Sequence, residues 1–185
     1  GDFVWARRLG ASQRDQAYSI AVDGGGSVYT TGIFHVTVDF DPGPGTANLT
    51  SAGEFDVFVS KLDRFADFVW AKRWGSSELT NYDAGLGIVV DQIGNVYTTG
   101  MFVSTVDFDP GPSTFNMTSA GDRDVFVSKL DSAGNFVWAG QLGGSSEDFG
   151  IGIAVAGGKI YTTGYFSGTA DFDPGAGTHT LTSAG

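Results

Sequence analysis

Three copies of Asp-Phe-Asp-Pro-Gly, starting at Asp39, Asp107 and Asp171, offer the clearest candidate chemistry. Alternate residues of an extended segment point to one side. Asp39 with Asp41, Asp107 with Asp109 and Asp171 with Asp173 could therefore each present two carboxylates together. A hard cation such as Ca²⁺ takes several oxygens, and a turn adds carbonyls to the carboxylates. Calcium is thus the one cofactor these loops suggest. The same residues also fit a type II turn, with Pro second, Gly third and Asp capping through its side chain. The Phe would then be a core anchor. The full oxygen ladder of an EF-type loop is absent.

Other candidates recur in the same way. Asp15, Asp83 and Asp148 lie five residues before Ile20, Ile88 and Ile153. They could bind a cation or a polar ligand, or hydrogen-bond backbone amides and staple neighbouring units. Asp56 and Asp124 each precede a Lys, Lys61 and Lys129, which fits a strand-end cap and a solvated edge. Trp5, Trp70 and Trp138 could stack on sugars, but each sits inside an apolar strand pattern that favours packing between units. Tyr29, Tyr97 and Tyr161 are structural by the same logic. Trp74 stands where the other copies have Leu9 and Leu142, a core variation. His35 and His179 have no counterparts, so no metal triad follows. No Gly-x-Ser-x-Gly elbow with partner residues, P-loop or dinucleotide fingerprint is evident. Asn48 and Asn116 match a glycosylation acceptor pattern at equivalent positions, which repetition alone explains. Chemistry normally uses one asymmetric constellation, whereas here the same residues are spread over every unit. The chain is expected not to be an enzyme.

The elements that carry these residues form a repeat. Phe-Val-Trp-Ala ends at Ala6, Ala71 and Ala139, and Tyr-Thr-Thr-Gly starts at Tyr29, Tyr97 and Tyr161. Asp-Val-Phe-Val-Ser-Lys-Leu-Asp occurs at 56–63 and 124–131. The middle copy predicts four strands: A at Gly85–Asp91, B at Asn95–Phe102, C at Val125–Leu130 and D at Asn135–Gln141. Each is short, rich in β-branched and aromatic residues, and bounded by Gly, Asp or Asn. Asp-Gln-Ile-Gly-Asn and Asp-Ser-Ala-Gly-Asn read as tight hairpin turns. Strand A is small and apolar, as an innermost strand at a crowded axis requires, and strand D places its Trp at the wide outer edge. The expected fold is all-β, with β-propeller blades of four antiparallel strands in about 2.7 repeats of 64–68 residues. A β-solenoid-like array is the alternative, but its coils are usually shorter and lack two tight hairpins each.

Blades of familiar propellers have about 40–50 residues. The excess here lies between strands B and C, at 103–123 and 35–55, and predicts a small hairpin of Thr105–Phe108 against Thr114–Thr118. The expected division is one repeat array over 1–185: strand D of a first blade at 1–10, blades at 11–75 and 76–143, and a partial blade at 144–185 with strands A, B and the insertion. A chain cut in this frame is expected to be a section of a longer one, and its open edges favour self-association.

Composition narrows the partners. Hydrophobic residues make up 41% and charged residues 17%, enough apolar matter for a core and too little charge for a disordered polyelectrolyte. The net charge of −11 argues against nucleic acid. There is no cysteine, hence no disulfide or thiolate chemistry. No apolar run reaches membrane-spanning length.

Phe-Val-Ser-Lys-Leu-Asp-Ser-Ala-Gly-Asn-Phe-Val-Trp, then Leu-Gly-Gly-Ser-Ser-Glu-Asp, Gly-Ile-Ala-Val and Ile-Tyr-Thr-Thr-Gly, resemble in order the bacterial SBBP repeat of secreted and cell-surface β-propellers. The family pattern has a Pro-rich stretch after strand B, and Asp-Phe-Asp-Pro-Gly-Pro stands there instead. The resemblance implies an exported bacterial protein, extracellular or at the cell surface, and no particular activity. The leading expectation is a non-catalytic structural or interaction module, possible partners being other repeats of the same or a longer chain, a cell-surface protein or a glycan. The alternatives are a multivalent carbohydrate-binding propeller, a structural section of a larger surface enzyme and a subunit of an extracellular fibre.

Overall fold

The computed structural model describes residues 1–78 and 82–184, which form strands, turns and loops without a helix. Among the described residues no helix is long and apolar enough to cross a membrane. The first unit contains β1 (Gln16–Val22), β2 (Val28–Phe34), the short pair β3 (Thr37–Asp39) and β4 (Asn48–Thr50), β5 (Asp56–Leu62) and β6 (Phe68–Trp74). β1, β2, β5 and β6 are antiparallel neighbours in that order, which is one complete blade. The second unit repeats this with β7 (Ala84–Val90), β8 (Val96–Phe102), the hairpin β9 (Thr105–Asp107) and β10 (Asn116–Thr118), β11 (Asp124–Leu130) and β12 (Phe136–Gly144). The third supplies β13 (Asp148–Ala156), β14 (Lys159–Phe166) and the hairpin β15 (Thr169–Asp171) and β16 (Thr180–Thr182).

Residues 1–10 do not form the strand D expected of them. A strand D takes its backbone partners from strand C, as β6 does from β5, and residues 1–10 pair with no strand among the described residues. Phe3 and Val4 consequently stand in solvent, each more than four-fifths exposed.

The hairpin turns follow from their Asp and Gly. In 91–95 the Gly94 amide donates to the Asp91 carbonyl, the Asp91 amide to the Asn95 carbonyl, and Gly94 takes a φ of 87°. The Asp91 carboxylate caps the loop by accepting the Ile93 and Asn95 amides. This is a three-residue hairpin loop with its left-handed residue as Gly. The third-unit A–B turn is instead two residues, Gly157 and Gly158, both with positive φ.

Tyr-Thr-Thr-Gly has a steric cause. Each strand A carries a bulge opposite strand B, at 17–19, 85–87 and 150–152. The bulge pushes a strand A carbonyl towards the last residue of the motif. A Cβ at Gly32, Gly100 or Gly164 would lie 1.9, 1.8 or 1.8 Å from the carbonyl oxygen of Gln16, Ala84 or Phe149. Only glycine fits there.

The largest core lies between blades. Tyr29, Val57, Val59, Trp70 and Trp74 of the first blade share one cluster with Ile88, Val96, Phe102, Val106, Phe108, Phe126 and Leu130 of the second. Strand A glycines allow this approach, since a Cβ at Gly85 would meet Thr31 Oγ1 at 2.1 Å and Val57 at 2.9 Å. The Phe of the enlarged B–C connection is the expected core anchor, and its target lies in the preceding blade. Phe108 packs on Trp74 at the end of the preceding strand D, with ring centroids 6.1 Å apart. In the third unit β15 goes further and pairs with β12 through Gly143 and Gly144, which extends strand D past the expected Gln141. The second and third insertions thus reach back to the blade before them.

Candidate interaction surface

Strand pairing places the starts of strands A and C and the ends of strands B and D at one end of every blade. The D–A connections and the insertions therefore share this end. Three groups of candidate residues meet there.

The seam carboxylates are the first. Asp83 Oδ2 accepts the Ser76 amide at 2.7 Å, Oδ1 accepts the Val103 amide at 2.8 Å, and the Asp83 amide donates to the Phe55 carbonyl at 3.0 Å. One buried side chain thereby ties the exit of one blade to the next. Asp148 does the same with the Gly144 and Ser167 amides, and Asp15 with those of Ala11 and His35. Asp56 and Asp124 are not at a solvated edge as expected, because both are fully buried. They cap the end of the insertion by accepting the Ala52 and Ala120 amides. Lys61 and Lys129 lie over the rings of Tyr29 and Tyr97, 5.0 and 5.2 Å from the centroids.

Burial raises the pKa of Asp56, Asp124 and Asp83 against the pull of the amides, and Asp83 reaches about 6, helped by the nearby Asp56. Asp56 has a guanidinium partner, Arg73, at 3.0 Å. At the next seam Gln141 replaces that Arg and bonds to Asp124 Oδ2, while Asp124 Oδ1 is buried without a partner. A Cβ at Gly143 would sit 2.8 Å from that oxygen and 2.9 Å from Asp148 Oδ2, so this seam holds two acids around one glycine.

The Asp-Phe-Asp-Pro-Gly loops form the second group. Asp39 Oδ1 accepts the amides of Asp41 and Ala47, Asp107 Oδ1 those of Asp109 and Phe115, and Asp171 Oδ1 those of Asp173 and His179. These bonds hold the Asp39 and Asp171 carboxyls below the usual range. Asp41, Asp109 and Asp173 each accept the amide two residues on, from Gly43, Gly111 and Gly175. None of these glycines has the positive φ that a type II turn demands, so the expected type II turn is an Asx turn instead. The first Asp closes the loop and the second caps the turn, and the two carboxylates serve different amides. Among the described residues no group of three or more His, Asp or Glu is placed to hold a metal ion. Phe40 and Phe108 are buried, while Phe172 is half-buried.

The repeated Trp residues are not alike. Trp70 is buried beneath the C–D turn of the following blade and donates its Nε1 proton to the Ser132 carbonyl at 3.2 Å. Trp5 and Trp138 are half-buried. Tyr29 and Tyr97 are buried, whereas Tyr161 is exposed.

The third group was not singled out from sequence. It consists of positions at which the units disagree. The residue before each strand A Asp is Arg14, Tyr82 or Glu147, and the residue before each strand C Asp is Phe55 or Arg123. Phe55 bridges to Tyr82, and Arg123 to Glu147, by the same parallel contact across successive seams. The side chains then diverge. Phe55 packs on Tyr82 and on His35, with centroids 5.2 Å apart in each case, and Arg14 lies 5.9 Å above its ring. Tyr18, on the bulge of strand A, joins its hydroxyl to that of Tyr82 at 2.7 Å, and burial with this bond pushes the Tyr82 pKa up. One seam on, Arg123 pairs with Glu147 and lies over Phe149, which stacks on Tyr165 with centroids 4.7 Å apart. Comparing copies position by position was the signal that could have found these residues.

Residues 4–32 match the family model described as the SBBP beta-propeller repeat. The chain is 27% identical over 206 residues to the WD repeat-containing protein L264 of Acanthamoeba polyphaga mimivirus, covering 95% of this chain and 14% of that protein. It is also 27% identical over 130 residues to the regulatory protein FlaEY of Caulobacter vibrioides, covering 68% of this chain and 13% of that protein. The chain thus spans about one seventh of the length of these relatives. Together with the four-stranded blades, the family match identifies a β-propeller array whose residues 4–32 carry the SBBP repeat.

Proposed function

We propose that the chain is a non-catalytic interaction module that binds a protein partner at the end carrying the D–A connections and the insertions. The observation that supports this is the contrast within the repeat. Positions that build the blade recur almost unchanged, while Arg14/Tyr82/Glu147 and Phe55/Arg123 change chemistry at that end and remain partly exposed. Aromatic rings interleaved with Arg are the side chains from which protein interfaces draw most of their energy. The recurring carboxylates, by contrast, accept the protein's own amides and serve the scaffold. The WD-repeat relative fits the same kind of role, as does the relative named a regulatory protein.

The SBBP resemblance supports placing this module outside the cell or at its surface, and fractionation of the tagged protein tests that. In this scheme the Asp-Phe-Asp-Pro-Gly loops are closed by amides, so EDTA should leave the melting midpoint unchanged. Peptide binders selected from a display library against the whole chain test the surface itself. Tyr82→Ala or Arg123→Ala should weaken them about tenfold or more, and unchanged affinity for both variants would move the site elsewhere. Binding on a glycan array that survives both substitutions would favour the carbohydrate-binding alternative.

A further inference from the structure

Successive seams are built alike but neutralised differently. At the first, Asp56 opens β5, Gly75 follows β6 and Asp83 precedes β7. Asp56 Oδ2 takes the Arg73 guanidinium at 3.0 Å, and Oδ1 accepts the Gly53 amide at 3.3 Å. At the second seam Asp124, Gly143 and Asp148 hold the same places. Gln141 stands for Arg73, since it faces Phe126 as Arg73 faces Phe58. The Gln141 side chain and the Ala120 amide both donate to Asp124 Oδ2, and neither brings a charge. Asp124 Oδ1 is left buried with no partner. A Cβ at Gly143 would lie 2.8 Å from this oxygen and 2.9 Å from Asp148 Oδ2, so the two carboxyls flank one point. Both residues are closed off from solvent.

We infer that a proton held between Asp124 Oδ1 and Asp148 Oδ2 closes the second seam, in the role that Arg73 fills at the first. Every other oxygen of the two carboxyls has an N–H to accept: Asp148 Oδ1 takes the Ser167 amide and Oδ2 the Gly144 amide. Two ionised carboxylates this close and out of water repel each other strongly. Protonation of Asp124 removes that repulsion and gives Oδ1 a hydrogen to donate. Asp148 Oδ2 has a lone pair left to accept it. Burial and the Asp148 charge both push the Asp124 pKa up, which agrees with the geometry.

No side chain on the elements of this joint supplies the missing positive charge. Lys129 of β11 lies over the Tyr97 ring, and β12 and β13 contain no Lys, Arg or His. Arg123 is paired with Glu147. Asp171 of β15, opposite Gly143, accepts the Asp173 and His179 amides. The joint also carries load: the Asp148 amide donates to the Arg123 carbonyl at 2.8 Å, across the same seam as the Arg123–Glu147 pair. Repulsion between the acids acts on both contacts. The closed seam binds the proton more tightly than the open one, so it is favoured in acid and loosens as pH rises.

Carbon-13 carboxyl titration and native-state hydrogen exchange of the whole chain, followed from about pH 4 to about pH 8, test this. Asp124 should titrate above the exposed carboxyls, a measurement that needs no variant. Protection of the Asp148 and Gly144 amides, corrected for intrinsic exchange, should fall about tenfold or more over that range, because each pKa unit between closed and open seam is a tenfold change in opening. Gln141→Arg restores the guanidinium of the first seam and should hold that protection within about twofold. Asp124→Asn should do the same, since its amide donates where the proton did. Neither substitution should alter the pH response of the Asp83 amide at the first seam. An Asp124 that titrates with the exposed carboxyls, or a fall that persists in Gln141→Arg, would overturn the proposal. So would protection at neutral pH that depends on added Na⁺, K⁺ or Ca²⁺, which would assign the gap to a metal cation.

Discussion

Gly100 shows how one residue can carry a local constraint on the whole blade. Its absent side chain leaves room for the Ala84 carbonyl at the strand A bulge, where a Cβ would stand 1.8 Å away. Gly100→Ala should therefore lower stability by more than about 2 kcal/mol, because backbone has to move in a packed sheet. Gly24→Ala, which meets nothing within 4 Å, should change it by less than about 0.5 kcal/mol. Urea midpoints of the two variants check this, and equal midpoints would remove the steric explanation. The buried acids make a second prediction. Asp83 rises from 3.8 to about 6 in the folded state, so between about pH 4 and 6 the folded form holds more protons than the unfolded chain. Stability then falls as pH rises through that window and levels off above it. The contribution is at most about 3 kcal/mol, since one pKa unit is about 1.4 kcal/mol. Asp56 and Asp124 push in the same direction. Asp39, Asp91, Asp131 and Asp171 are held low and act oppositely, losing their contribution as pH falls below the ordinary carboxylate value. Stability should peak near about pH 4, and Asp83→Asn should flatten the decline above it. A midpoint that climbs from pH 4 to 7 would contradict the assignment.

Among the elements, the insertion hairpin is where sequence and structure part most. Its landmark residues were visible as a repeat, and its strand pair lies within two residues of the expected one. Its target was not visible, because the contact is made with the strand D of the preceding unit, some 30 residues upstream, and no local pattern encodes it. Phe108 lies in a core shared with Trp74. Phe108→Ala should cost about 3–5 kcal/mol and shift tryptophan emission to the red as Trp74 meets water. A large loss of stability with unchanged emission would mean that the hairpin packs elsewhere. The four strands of each blade, by contrast, were legible because alternation, Gly-Asn turns and β-branched residues all agree on them. Residues 1–10 have the composition of a strand D but are in no strand here, because a strand also needs a neighbour. At Asp-Pro-Gly the side-chain cap of the Asp is as expected, and only the backbone differs, since the Gly does not take the positive φ of a type II turn.

At the scale of the molecule, protection should follow the number of neighbours a blade has. Blade 2 is flanked on both sides, whereas β1 has exposed residues along one side and β14 is exposed along most of its length. Native-state hydrogen exchange should be slowest in β8 and β11 and fastest in β1, β13 and β14, and uniform exchange across the three units would contradict this. The surface residues of the candidate site were illegible to a reading that valued what recurs, because Arg14, Tyr82 and Glu147 are informative only in that they differ. Finally, the main hydrophobic cluster belongs to a pair of blades and not to either one. Pulled by its two ends, the chain should therefore fail in steps and not all at once. Each rupture of a seam would release one unit of 64–68 residues, a length gain on the order of 200 Å at about 3.3–3.6 Å per residue. Optical-tweezer traces with a single rip, or with steps of unrelated size, would show that the load is carried within blades. Steps of that size would make the repeat length a mechanical unit, with tension shed in fixed quanta along the array.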